Sequence, residues 1–193
     1  MTAYLRQLGT SIRFLAIATL LLGLIYPLAI FGAGQAVMPA QANGSIGELD
    51  GRPAASTLLA QAVPAGEDRF FHPRPSAVRW DPSSSGASNL GPSDPARSAA
   101  AEEERAAVAV REGVPAASVP ADAVTASASG LDPDISVAYA QLQAPRVARA
   151  AGLSMEEVGQ LITDATTSPV LGLLGQPAVN STRLNLAVAG RVK

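Results

Sequence analysis

The stretch Phe14 to Met38, FLAIATLLLGLIYPLAIFGAGQAVM, contains no charged side chain. At about 1.5 Å of rise per residue, a helix over this run is longer than the roughly 30 Å hydrocarbon core of a bilayer. The sequence therefore predicts a transmembrane helix over 14–38, preceded by residues 1–13 and followed by one domain over 39–193. Arg6 and Arg13 precede the run, whereas the first charge after it is Glu48 and the first positive one is Arg52. The positive-inside rule then puts 1–13 in the cytoplasm and 39–193 outside it, as in a single-pass protein of the cell (inner) membrane. Ala40-Gln41-Ala42 offers a rival reading, because its A-x-A form fits signal cleavage after Ala42 and release of a secreted or periplasmic module that binds a small ligand. The apolar run is well beyond the roughly 7 to 15 residues of a signal-peptide core and fits a retained anchor better. Tyr26-Pro27 falls inside it, where a proline frees a backbone carbonyl and predicts a kink or a packing contact.

The chain has no cysteine and a single histidine, His72, which excludes disulfides, thiolate sites, cysteine nucleophiles and multi-histidine metal sites. With 14 basic and 16 acidic side chains its net charge is -2, which gives no reason to expect nucleic acid as a partner. There is no G-x-x-x-x-G-K-[ST] and no G-x-G-x-x-G after a strand, so the backbone cradles that hold nucleotide phosphates are missing and an independent ATPase is not expected. A hydrolase using Ser76, Ser85 or Ser127 lacks both a convincing base and the G-x-S-x-G turn. The sequon Asn180-Ser181-Thr182 is too short a pattern to carry weight. The composition thus predicts a non-catalytic chain with no metal site.

Beyond the span, the fold class predicted is α/β in the α+β sense, with long loops rich in proline, serine and glycine. Residues 65–95 read as ordered loop, with Phe70, Phe71 and Trp80 anchoring it to a small, alanine-dense core. Asp94-Pro95 opens a helix that stops at Gly113, its Glu102 to Glu104 face solvated. Ser136 caps a second helix to about Ala151 with a break at Pro145, and the capping box from Ser154 to Glu157 begins a third. Met155, Val158, Leu161, Ile162 and Ala165 give that third helix one buried face. Leu184, Leu186 and Val188 alternate with Arg183, Asn185 and Ala187 as a half-buried strand would.

Three clusters are dense in small hydroxyl and amide groups: Arg74-Pro75-Ser76-Ala77, the run Ser85 to Pro92, and the run Val124 to Ser136. Their side chains either satisfy loop backbone or form a contact surface. The contact reading names Arg74, Pro75, Ser76, Ser85, Gly86, Ser88 and Asn89. It continues with Ser127, Ser129, Gly130, Asp132 and Pro133, and adds Tyr26 and Pro27 in the span.

These clusters, in this order behind one apolar span, resemble the C subunit of the Kdp potassium-transporting P-type ATPase, the KdpC family, over nearly the whole chain. The resemblance also rests on Tyr26-Pro27, Phe71, Gln143, Pro145 to Ala148, Leu174-Gly175-Gln176-Pro177, Val179-Asn180 and Leu184-Asn185-Leu186. Asp134, where the family often has asparagine or histidine, and Val137, where proline is frequent, depart from it. The resemblance implies an accessory subunit beside a potassium-channel-like subunit and a P-type ATP-hydrolysing subunit. Potassium is then the ion the complex transports, not one bound by this chain. It also implies a catalytic chaperone that raises the ATP affinity of the hydrolytic subunit, with ATP touched through a glutamine, for which Gln143 is the candidate. The arginine placement argues instead for a domain outside the cytoplasm, where ATP is scarce and where a net negative domain over the potassium entrance would favour cations.

Overall fold

A computed structural model of the chain describes residues 2–192. It divides into two units between Ser45 and Ile46. In the first, α1 (Thr2–Leu20), a π-helical turn (Leu21–Ile25) and α2 (Tyr26–Val37) follow one another without interruption. This helix starts well before Phe14, is long and apolar enough to cross a membrane, and has none of its apolar window buried. The π turn has a local cause. Pro27 has no N–H to give to the carbonyl four residues back, and just before it the Tyr26 N–H reaches back to the Leu21 carbonyl, one residue further than in an α-helix. At Tyr26-Pro27, where a kink or a packing contact is predicted, the structure has a change of hydrogen-bond register. The helix ends at Met38, and after the short turn α3 (Pro39–Ala42) the Asn43 amide donates to the Pro39 carbonyl at 2.7 Å and to Gln35 at 3.0 Å.

The second unit opens with an antiparallel hairpin, β1 (Ile46–Leu49) and β2 (Arg52–Ser56), bulged between Gly47 and Glu48. From Thr57 to Asp94 the chain forms no helix or strand, as the proline-rich sequence predicts. In α4 (Pro95–Glu112), Asp94 accepts from the Ala96 N–H, and Gly113 ends the helix at φ +67°. Glu102, Glu103 and Glu104 are exposed. Then come β3 (Asp134–Ser136), α5 (Val137–Ala151), α6 (Met155–Asp164), β4 (Thr166–Thr167), β5 (Ala178–Asn180) and α7 (Ser181–Ala189). The small sheet has the order β3-β5-β4, all antiparallel, with Val179 facing Ile135 on one side and Thr166 on the other. One face of α5 (Tyr139, Ala140, Val147) and one of α6 (Val158, Leu161, Ile162) close the core with Phe71, Leu184 and Val188. An α+β domain on one apolar helix is what the sequence predicts.

Three local expectations are corrected. The strand predicted over 184–188 is the helix α7, because the Asn180 side chain accepts from the Arg183 N–H and starts a helix there. Leu184 and Val188, spaced i, i+4, both point into the core with no exposed surface, and burying each contributes about 2 kcal/mol. Their spacing suits either period. The break at Pro145 is absent: α5 runs through it. Pro145 and Gln141 both sit on the exposed face, so the carbonyl that the proline leaves unpaired lies on the water side. Met155 is 54% exposed and outside the buried stripe, while the Ser154–Glu157 capping box forms as read.

Candidate subunit interface

The loop that carries Phe71 and Arg74 is held by side-chain amides instead of a neighbouring strand. Asn185 of α7 accepts from the Phe71 N–H at 2.7 Å and donates to the Phe71 carbonyl at 2.9 Å. Gln143 of α5 does the same for His72, accepting at 2.8 Å and donating at 3.1 Å. Successive residues of an extended chain turn their N–H and C=O to opposite sides, so two amides on opposite sides serve as two strand partners would.

Gln143 is fully buried, and its Oε1 also accepts from Arg146 at 3.0 Å. Arg146, 4% exposed, donates to the carbonyls of Asp68 (2.6 Å) and Phe70 (3.0 Å) and pairs with Glu112 at 3.0 Å. The Glu112 carboxylate, fully buried, also receives Arg111 Nε at 2.9 Å, and Arg111 Nη2 donates to the Tyr139 hydroxyl at 2.9 Å. Two guanidinium groups thus share one carboxylate. Burial first, and then these two cations, hold the His72 pKa down at about 3, so the imidazole is neutral at physiological pH. Burial pushes the Tyr139 hydroxyl up to about 12.

The serine-rich clusters come together in space. Ser76 Oγ donates to the Gly130 carbonyl at 2.7 Å and accepts from the N–H groups of Val78 and Trp80 at 3.2 and 3.0 Å. The Gly86 N–H donates to the Ser129 carbonyl at 2.9 Å and Ser85 Oγ to the same carbonyl at 3.0 Å. The Ser127 N–H donates to the Pro75 carbonyl at 3.0 Å, while its hydroxyl accepts from the Gly130 N–H at 3.0 Å. Arg74 pairs with Asp132 at 3.1 Å and donates to the Thr125 carbonyl. Most of these groups therefore satisfy loop backbone, the first of the two readings for such clusters. Ser127 and Pro133 are buried, whereas Ser85, Ser88 and Asn89 are exposed at the surface of the joined loops. Tyr26 and Pro27, in the other unit, are exposed on the apolar helix.

The sequence reading overlooked one surface. Val170, Leu171, Leu173 and Leu174 are 63–88% exposed at a tight turn closed by the Val170 and Leu174 backbone. No charge occurs from Ala165 to Thr182, and Pro169, Gly172 and Gly175 mark the turn. That uncharged run was the available signal, since bare aliphatic tips of this kind mark interaction sites.

Comparison with known proteins bears on what these surfaces serve. A family model described as "KdpC: K+-transporting ATPase, c chain" matches residues 8–190. The chain belongs to the KdpC family. Among relatives named "Potassium-transporting ATPase KdpC subunit", that of Kineococcus radiotolerans is 47% identical over 97% of this chain and 95% of its own. The relative from Mycobacterium bovis is 45% identical over 95% of this chain and 97% of its own, and that from Methylibium petroleiphilum 48% over 90% and 91%. The KdpC match spans both units, the apolar helix and the α+β domain alike.

Proposed function

We propose that this chain is a non-catalytic subunit of an ATP-driven, high-affinity potassium uptake pump, anchored by Thr2–Val37 with its folded domain outside the cytoplasm. Its partners are a potassium-channel-like subunit and a P-type ATP-hydrolysing subunit. The observation that supports this reading most is the helix itself: long and apolar enough to cross a bilayer, unburied within the chain, with Arg6 and Arg13 near its N-terminal end and no basic residue after them until Arg52. Such a helix needs lipid or another helix around it.

In this reading the subunit stabilises the complex and raises the ATP affinity of the hydrolytic subunit through contact between subunits. Direct nucleotide binding by Gln143 fits less well, since its amide is fully buried and bonded at both ends. Residues 44–193 carry four more acidic than basic side chains, which favours cations near a potassium entrance. The test is copurification of the tagged chain with the two partners, before and after Leu171→Ser with Leu173→Ser. The pair should weaken assembly while leaving the domain's melting unchanged. Recovery of the chain alone, shortened to begin after Ala42, would overturn the proposal in favour of a released binding module.

A further inference from the structure

A groove of about 850 Å³ runs along one side of α4, between that helix and the joined serine-rich loops. Arg79, Arg97, Arg105 and Arg111 line it against one acidic side chain, Glu104. This sign is opposite to that of the domain as a whole. Three of the four have partial partners: Arg105 donates to the Val119 carbonyl at 3.3 Å and lies 3.9 Å from the exposed Glu102, Arg111 shares Glu112 with Arg146, and Arg79 is near enough to Asp81 to help hold that carboxyl below the usual carboxylate range. Because one carboxylate serves two guanidinium groups there, positive charge is in excess beside Arg111. Arg79 and Arg97 stand exposed at the rim.

The length of the groove selects among anionic occupants. Arg97 and Arg111 are separated by about 21 Å along the axis of α4, from the helical rise. That is the reach of about six residues of extended chain. Between the arginines the wall is small and apolar, with Ala100, Ala101 and Val124, and Trp80 also lines the groove. A single small anion would fill one part of such a groove and leave the rest empty. An extended peptide, its acidic side chains interleaved with small ones, matches both the charges and the spacing. We propose that this groove receives an extended acidic segment, about six residues long, from a neighbouring subunit. The identity of the donor rests on the reading above, whereas the groove's chemistry does not.

Trp80 is the only tryptophan of the chain and lines the groove, so its fluorescence reports occupancy directly. The full chain in zwitterionic detergent is titrated with a blocked hexapeptide of alternating aspartate and alanine. The lysine-alanine peptide and inorganic phosphate serve as comparisons. A saturable change with the aspartate peptide, weakened by salt and about tenfold weaker in Arg97→Glu and in Arg79→Glu, is expected. Glu103→Gln, exposed and outside the groove, should bind as the unchanged chain does. No saturable response, an equal response to the lysine peptide, or equal saturation by phosphate alone would overturn the proposal. A chain that binds the aspartate peptide but does not copurify with a potassium pump would sink the functional reading and leave the groove's chemistry standing.

Discussion

The Gln143 carboxamide bonds both the N–H and the carbonyl of His72, at 2.8 and 3.1 Å, and so ties α5 to a loop 71 residues away in sequence. With Arg146 on the same oxygen, the amide of Gln143 is a fastening of the fold.

Replacing it tests that role. Gln143→Leu leaves the His72 backbone and one Arg146 nitrogen without their partner in a buried place, and a loss of about 2–4 kcal/mol is expected. Gln143→Glu can still accept from both donors and should lose less. Urea unfolding of the full chain in detergent measures both. An unchanged midpoint in Gln143→Leu would refute the structural role and favour a ligand-binding one.

The shared carboxylate gives a larger effect. Glu112→Ala strands Arg146, 4% exposed, and Arg111 together without a counter-charge. Breaking a buried pair in this way costs about 3–5 kcal/mol. The Glu112→Ala chain should therefore lose its cooperative melting transition or show it at a much lower temperature.

Gly130 stands where the serine-rich loops meet. A Cβ there would lie 2.5 Å from Val78 Cγ2 and 2.7 Å from the Gly86 carbonyl oxygen, at a φ of +71°. Left-handed strain and overpacking add, so Gly130→Ala should destabilise by about 2–4 kcal/mol. Gly113→Ala, with the same φ sign but open space around it, should cost only the strain, about 1 kcal/mol. Equal losses in the two variants would contradict the packing described.

His72 predicts a pH limb. Its folded-state pKa, about 3, lies below the ordinary 6.5. Between these values the unfolded chain binds a proton that the folded chain does not, so stability falls as pH drops below 6.5 and is full above it. The slope from this one site is at most about 1.4 kcal/mol per pH unit. His72→Asn should flatten that limb relative to the unchanged chain, as measured by urea unfolding between pH 4 and 7.

Local chemistry accounts for what the sequence disclosed. The apolar helix was legible because so long a run without charge suits a bilayer and little else, and α4 and α6 were legible because Asp94, Gly113 and Ser154 act within a few residues of themselves. Helix α7 was misread because Leu184, Leu186 and Val188 satisfy a period of two while the buried pair satisfies a spacing of four. The contact of Asn185 with Phe71 was out of reach, since it joins residues 114 apart. The serine clusters announced themselves by composition. Which members turn inward, as Ser127 does, and which stay exposed, as Ser88 does, depends on loops meeting that no local pattern records.

The most direct test of the account is the side of the membrane on which the α+β domain lies. Glu103 and Ala150 are exposed in a chain without cysteine, so single cysteines there report access to a membrane-impermeant maleimide. Labelling of both in intact cells, with only an outer envelope opened, is the predicted result and places the domain outside the cytoplasm. Labelling only after lysis would contradict the account, put the domain with cytoplasmic ATP and favour direct nucleotide contact.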